Sequence, residues 1–160
     1  LGVIEYVRRL EEILMRICAQ YNIETQRIAG MTGVWTLATV PPRLEARRMG
    51  RDYTPCGEEV TEENGDAVWQ ERKIAAIGVH LSRWVTSHGF ALNVATDLNY
   101  FQYIVPCGLT RPVTSMAALG VRASLHEVGA RLAVHFARIF DCEMLEETPA
   151  LQASLLESEN

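Results

Sequence analysis

The sequence predicts an α+β fold, a sheet covered by helices, and three observations carry that prediction. An amphipathic helical stripe opens the chain at residues 1–21. A second runs from 124 to 140, and between them two strand-like stretches lie only a few residues apart. With 160 residues, 48% hydrophobic and 22% charged, the chain suffices for one domain with a core and is too apolar for disorder. No apolar run nears the roughly 18 residues needed to span a bilayer, which excludes an integral membrane protein.

In the first helix Val3, Val7, Leu10, Leu14, Ile17 and Tyr21 recur at spacings of four and three. Glu5, Arg8, Arg9, Glu11, Glu12 and Arg16 fall mostly on the other side. Asn22 is the expected stop, because Asn tolerates the left-handed backbone that ends many helices. A short strand follows at 33–37, GVWTL. From 41 to 66 apolar periodicity vanishes: two adjacent prolines lead into Arg43, Arg47, Arg48 and Arg51, then Glu58, Glu59, Glu62, Glu63 and Asp66. This reads as a polar surface insertion.

Strand character returns at 68–81 and again at 84–94, close enough to form an antiparallel hairpin. Residues 96–103 read as a turn or short helix, and 104–108 as an apolar approach to a tight turn. A short helical piece ends near Gly120. Ser124-Leu125-His126-Glu127 is a capping-box sequence that starts the last helix, with Leu125, Val128, Leu132, Phe136 and Ile139 as its buried stripe.

The net charge of −5 is unevenly spread. Residues 141–160 hold six of the 20 acids and no base, so the remaining body sets 15 basic residues against 14 acidic ones. The chain therefore divides into a near-neutral body, 1–140, and an acidic tail. No basic footprint of a nucleic-acid binder is present. The four cysteines, at 18, 56, 107 and 142, show no CxxC and no close Cys/His pairing, which argues against a zinc site or a disulfide framework. Cys18 falls on the buried side of the first helix.

Two residues stand out chemically. Cys107 lies between Pro106 and Gly108 at the end of an apolar run, and Lys73 is a charge opening a nearly all-apolar strand. Cysteine attacks as its thiolate, only a few per cent of a free thiol at neutral pH, and a nearby ammonium favours that form. By residue type alone, a lone cysteine more often packs and a strand-edge lysine more often faces solvent, so both readings stand. Cys56 lies in a second PCG tripeptide, within the insertion. His88, between strand residues, could meet a ligand or hydrogen-bond to backbone. His80 reads as exposed at a turn, and His126 and His135, nine apart on one helix, cannot share a metal. No GxGxxG or Walker A loop supports nucleotide binding.

The run KIAAIGVHLSRWVTSHGFALNV, followed by IVPCG and VTSM, with TGVW before it and a D-L-x-x-F turn between, resembles the octanoyltransferases of lipoate biosynthesis, the lipoate–protein ligase B family. The resemblance covers about 1–140 apart from the insertion. It implies the fold of biotin and lipoate ligases, with a mixed sheet covered by helices. It implies transfer of an octanoyl group from octanoyl-acyl carrier protein to a lysine of lipoyl domains, those of 2-oxoacid dehydrogenase complexes and the glycine cleavage H protein. Carried over, Cys107 is the nucleophile that becomes the octanoyl thioester, and Lys73 lowers its pKa and serves as acid/base partner. Ala76, Ile77, Gly78, His88, Gly89, Phe90 and Ala91 line the acyl and thioester site. No cofactor and no metal are expected, and the protein is expected to be a cytoplasmic monomer.

The resemblance also has a gap. Family members carry an RGG segment and an HGPG-like histidine motif ahead of the first helix, and neither occurs here. The expectation is a chain that begins inside its domain, forms the C-terminal two-thirds of the family, and is weakly active or inactive alone. Two other readings compete: an ATP-dependent lipoate ligase or amidotransferase-like relative, and a non-catalytic module that binds a lipoyl domain or carrier. For the last, Arg43, Arg47, Arg48 and Arg51 would be the docking patch.

Overall fold

A computed structural model describes residues 1–40, 68–103 and 111–145. Helix α1 (Val3–Gln20) is followed by strands β1 (Gln26–Ile28), β2 (Met31–Val40), β3 (Val68–Ser82) and β4 (Val85–Leu92). Two 3-10 turns, Leu98–Tyr103 and Ala117–Leu119, precede helix α2 (Leu125–Phe140). The strands form one antiparallel sheet in the order β1-β2-β3-β4. The mixed character expected of the sheet is confined, among the described residues, to one parallel bridge between Lys73 and Val113. The insertion expected at 41–66, Cys56, Cys107 and most of the acidic tail lie outside the described residues.

The helix ends follow local chemistry. Asn22 takes the left-handed conformation (φ 57°), and the Asn22 and Ile23 N–H groups donate to the Ala19 and Cys18 carbonyls of the last turn. At α2, Ser124 Oγ accepts from the Glu127 N–H at 3.1 Å, while the Glu127 carboxylate accepts from Arg131. The β3–β4 hairpin closes through Arg83 and Trp84, both at positive φ, the conformation a two-residue hairpin loop requires.

Helix α1 lies against β2, β3 and β4, and α2 packs on α1. Leu14, Ile17 and Cys18 of α1 meet Val34, Ile74, Ala75, Val94 and Met116, and Val128 of α2 joins them. The Tyr6 and Phe140 rings meet at a tilt of 54°, 5.3 Å between centroids, across the helix pair. The apolar stripes hold in their middles and fail at their ends: Val3 and Leu125 stand in solvent, since burial starts only at Leu10 in α1 and Val128 in α2.

Glu11 corrects the expected polar side of α1. It is buried, at 1% exposure, and its carboxylate accepts from Arg8 Nη1 (2.6 Å), Arg27 Nε (2.9 Å) and the Gly33 N–H (3.3 Å). One side chain thus ties α1 to β1 and β2. A buried carboxylate is tolerable only with such partners.

Candidate active site

Lys73 sits at an irregularity in the sheet. Val34 pairs with Ala75 and Trp35 with Lys73, so Ile74 is an extra residue on β3, a β-bulge. The bulge lets neighbouring Ile74 and Ala75 both enter the core, which simple alternation forbids. It leaves Lys73 opposite Trp35, with Nζ 4.8 Å from the centre of that buried ring. Gly33 completes the corner at φ 125°. A Cβ there would stand 2.7 Å from the Ala75 carbonyl oxygen and 3.2 Å from Lys73 Cε, so only glycine fits.

The backbone of Lys73 is held from its other side. Its N–H donates to the Pro112 carbonyl at 3.0 Å, and its carbonyl accepts from the Thr114 N–H at 2.9 Å. Three further contacts fix the same returning segment: Arg111 pairs with Glu71, Asn93 Nδ2 donates to the Thr114 carbonyl at 3.0 Å, and the Met116 N–H donates to the Asn93 carbonyl at 2.8 Å. The chain just after the PCG tripeptide is thereby sewn to the peptide unit of Lys73.

The expected lining residues meet as cross-strand neighbours: Ala76 with Ala91, Ile77 with Phe90, Gly78 with Gly89, and Val79 with His88. Ile77 and Phe90 pack on the core, while Ala76, Gly78 and Ala91 are exposed. A Cβ added at Gly78 or Gly89 would meet nothing within 4 Å, so among the described residues nothing crowds this strip. His88 is exposed and left-handed (φ 65°) inside a strand, a strained state for a non-glycine residue. The strip is an open, small-residue floor leading along β3 toward Lys73.

Other features separate from this site. Burial pushes the Cys18 thiol up to about 12, which makes it a packing residue. An open depression of about 670 Å³, lined by Glu12, Met15, Arg16, Asn22, Ile23 and Glu24, shares no residue with the Lys73 region. Among the described residues no cluster of His, Cys, Asp or Glu could hold a metal ion, and no helix is long and apolar enough to cross a membrane.

Residues 1–137 match the lipoyl protein ligase A/B catalytic domain. The chain belongs to that family. It is 57% identical over 140 residues to an octanoyltransferase of Solibacter usitatus, covering 88% of this chain and 49% of that protein. It is 46% identical over 147 residues to an octanoyltransferase of Koribacter versatilis, covering 91% and 47%, and 43% identical over 153 residues to one of Acidobacterium capsulatum, covering 91% and 50%. The chain spans about half the length of these curated relatives.

Within this lipoyl ligase-type domain, sequence reasoning overlooked four residues around Lys73. Trp35 and Gly33 frame its side chain, Asn93 fixes the segment beside it, and Glu11 holds the Gly33 N–H. One available signal pointed to the site without any relative: Lys73 is the only lysine among the 160 residues.

Proposed function

We propose that the protein carrying this chain transfers an octanoyl group from octanoyl-acyl carrier protein to the ε-amine of a lysine on lipoyl domains, those of 2-oxoacid dehydrogenase complexes and the glycine cleavage H protein, through a Cys107 thioester. The observation that carries the reading is the tether between the nucleophile's segment and Lys73. Pro112 and Thr114 hydrogen-bond to the Lys73 peptide unit, and five peptide units separate Pro112 from Cys107. Fully extended, they reach at most about 17 Å, a span that supports the pairing of Cys107 with the one lysine. The small-residue strip from Ala76 to Gly78 and Gly89 to Ala91, with Phe90 and Ile77 beneath and His88 at its far end, is the floor for the acyl chain. The octanoyltransferase relatives support the same reading.

In the first step Cys107 Sγ attacks the carrier thioester carbonyl. A carbon–sulfur bond forms to Cys107, the bond to the carrier's sulfur breaks, and that thiolate leaves and takes a proton. Lys73 supplies the positive charge that favours the Cys107 thiolate, and it holds or moves the proton as acid/base partner. In the second step the lipoyl-domain amine attacks the Cys107 thioester, an amide forms, and the Cys107 thiolate is released. The acyl group arrives already activated, so no phosphate chemistry enters.

Intact-mass measurement after incubation with octanoyl-acyl carrier protein tests this. The expected result is an adduct of one octanoyl group without ATP, present in Cys56→Ser and Cys142→Ser and lost in Cys107→Ser. An acyl-adenylate formed only with ATP, with Cys107→Ser fully active, would establish the ligase reading instead.

A further inference from the structure

The 15 basic residues of this chain comprise one lysine and 14 arginines. A protein that handles acyl groups bound for lysine ε-amines exposes any lysine of its own as a competing acceptor beside an activated donor. Arginine keeps its charge and offers no such nucleophile. The one ε-amine that remains is boxed in. Its Nζ lies 4.8 Å from the centre of the Trp35 ring, and its Cε would lie 3.2 Å from a Cβ at Gly33, a position that the Ala75 carbonyl oxygen at 2.7 Å keeps bare.

Trp35 carries a polar atom that its buried position does not use. It is fully buried, and its indole N–H is buried without a hydrogen-bond partner among the described residues. An unpaired buried donor is a cost. What the ring gives in return is its negative π face, turned to the only side-chain ammonium in the chain.

We propose that Trp35 and the bare Cα of Gly33 form a seat that holds the Lys73 ammonium as a fixed cation and withholds it from acylation. Trp35 is then a positioning residue that acts through Lys73. The geometry of the seat stands by itself, and its purpose rests on the acyl-transfer reading above.

The single lysine makes the test clean. In protein labelled with carbon-13 lysine, the folded state shows one side-chain ε-methylene signal, and the ring current of Trp35 displaces it upfield of free lysine. Urea unfolding returns it to the free position. Trp35→Leu returns it in the folded protein, whereas Trp35→Phe keeps the displacement, because phenylalanine retains a π face and removes the orphan N–H. N-succinimidyl octanoate at one fixed pH gives a second readout, the labelling of Lys73 relative to the N-terminal amine. Trp35→Leu raises that ratio about 2- to 30-fold, and Trp35→Phe raises it less.

A folded wild-type signal at the free-lysine position overturns the seat whether or not any variant folds. So does a folded Trp35→Leu protein with unchanged signal and labelling ratio. If the seat passes both readouts and the wild-type protein forms no octanoyl adduct with octanoyl-acyl carrier protein, the seat stands and the acyl-transfer reading falls; if Lys73→Ala transfers octanoyl groups at the wild-type rate, the acid/base role of Lys73 falls.

Discussion

Replacing Glu11 attacks the junction that supports the lysine corner. The carboxylate is buried and accepts from two guanidinium groups and the Gly33 N–H, so Glu11→Ala removes three hydrogen bonds at once. Breaking a buried charge cluster costs about 3–5 kcal/mol when the surviving charges stay buried. Here Arg8 and Arg27 are half and one-third exposed, so they recover water and the cost falls to the lower end. The Gly33 N–H recovers less, and an unpaired buried donor costs about 1–3 kcal/mol. We therefore expect Glu11→Ala to lower unfolding free energy by about 3 kcal/mol, which for a domain of this size is a loss of roughly 6–12 °C in Tm. Glu11→Gln retains an acceptor for Gly33 and should lose about half as much. Urea unfolding followed by circular dichroism measures both. A Glu11→Ala protein within 1 kcal/mol of wild type, or one no weaker than Glu11→Gln, would refute the claim that this side chain ties α1 to the Gly33 corner.

Three further outcomes follow from the same structure. Gly33→Ala places a Cβ 2.7 Å from the Ala75 carbonyl oxygen in a left-handed backbone, and should cost about 3 kcal/mol by thermal unfolding. Burial, then the charges of Arg16 and Arg138, hold His135 below its ordinary pKa of 6.5, and Gln20 Nε2 lies 2.9 Å from its Nε2. Below pH 6.5 the unfolded chain therefore binds the proton first, and stability is full above that pH and lost as pH falls through the window beneath it. The urea midpoint should drop from pH 7.5 to 5.5, and less steeply in His135→Gln. Finally, iodoacetamide should label Cys142, which is exposed, in the native protein, while Cys18 should react only after unfolding.

What was legible in the sequence had local causes. Asn22 and Ser124 act within a turn of their own helix, so the helix ends could be read, as could a hairpin whose strands are joined by two residues. β1 could not be read, because three residues, Gln26–Ile28, are too few for alternation to show. The polar reading of Glu11 failed for a different reason. Its burial depends on Arg27, sixteen residues later, and on the Gly33 N–H, and no helical pattern contains either. The bulge at Ile74 was equally hidden: in KIAAIG every residue after Lys73 is small or apolar, so the pattern does not say where the faces change over. The lining residues of β3 and β4 came from the resemblance to a family, and the hairpin register then paired them.

Lys73 is constrained in more ways than a solvent-facing lysine needs. A bulge sets its direction, Gly33 yields the space for its stem, Trp35 faces its ammonium, and Pro112 and Thr114 occupy both of its backbone groups. Each device has a cost: a left-handed glycine, an indole N–H without a partner among the described residues, a broken strand ladder. Charge alone would not require them, because this chain meets every other demand for positive charge with arginine. A guanidinium is broad and planar, with five donors in a fixed fork, whereas an ammonium is a compact point charge that fits between a ring face and a bare Cα. The combination of one lysine, a corner shaped to its stem, and a segment tied to its peptide unit identifies position 73 as the place where the fold gives up regularity to fix one cation.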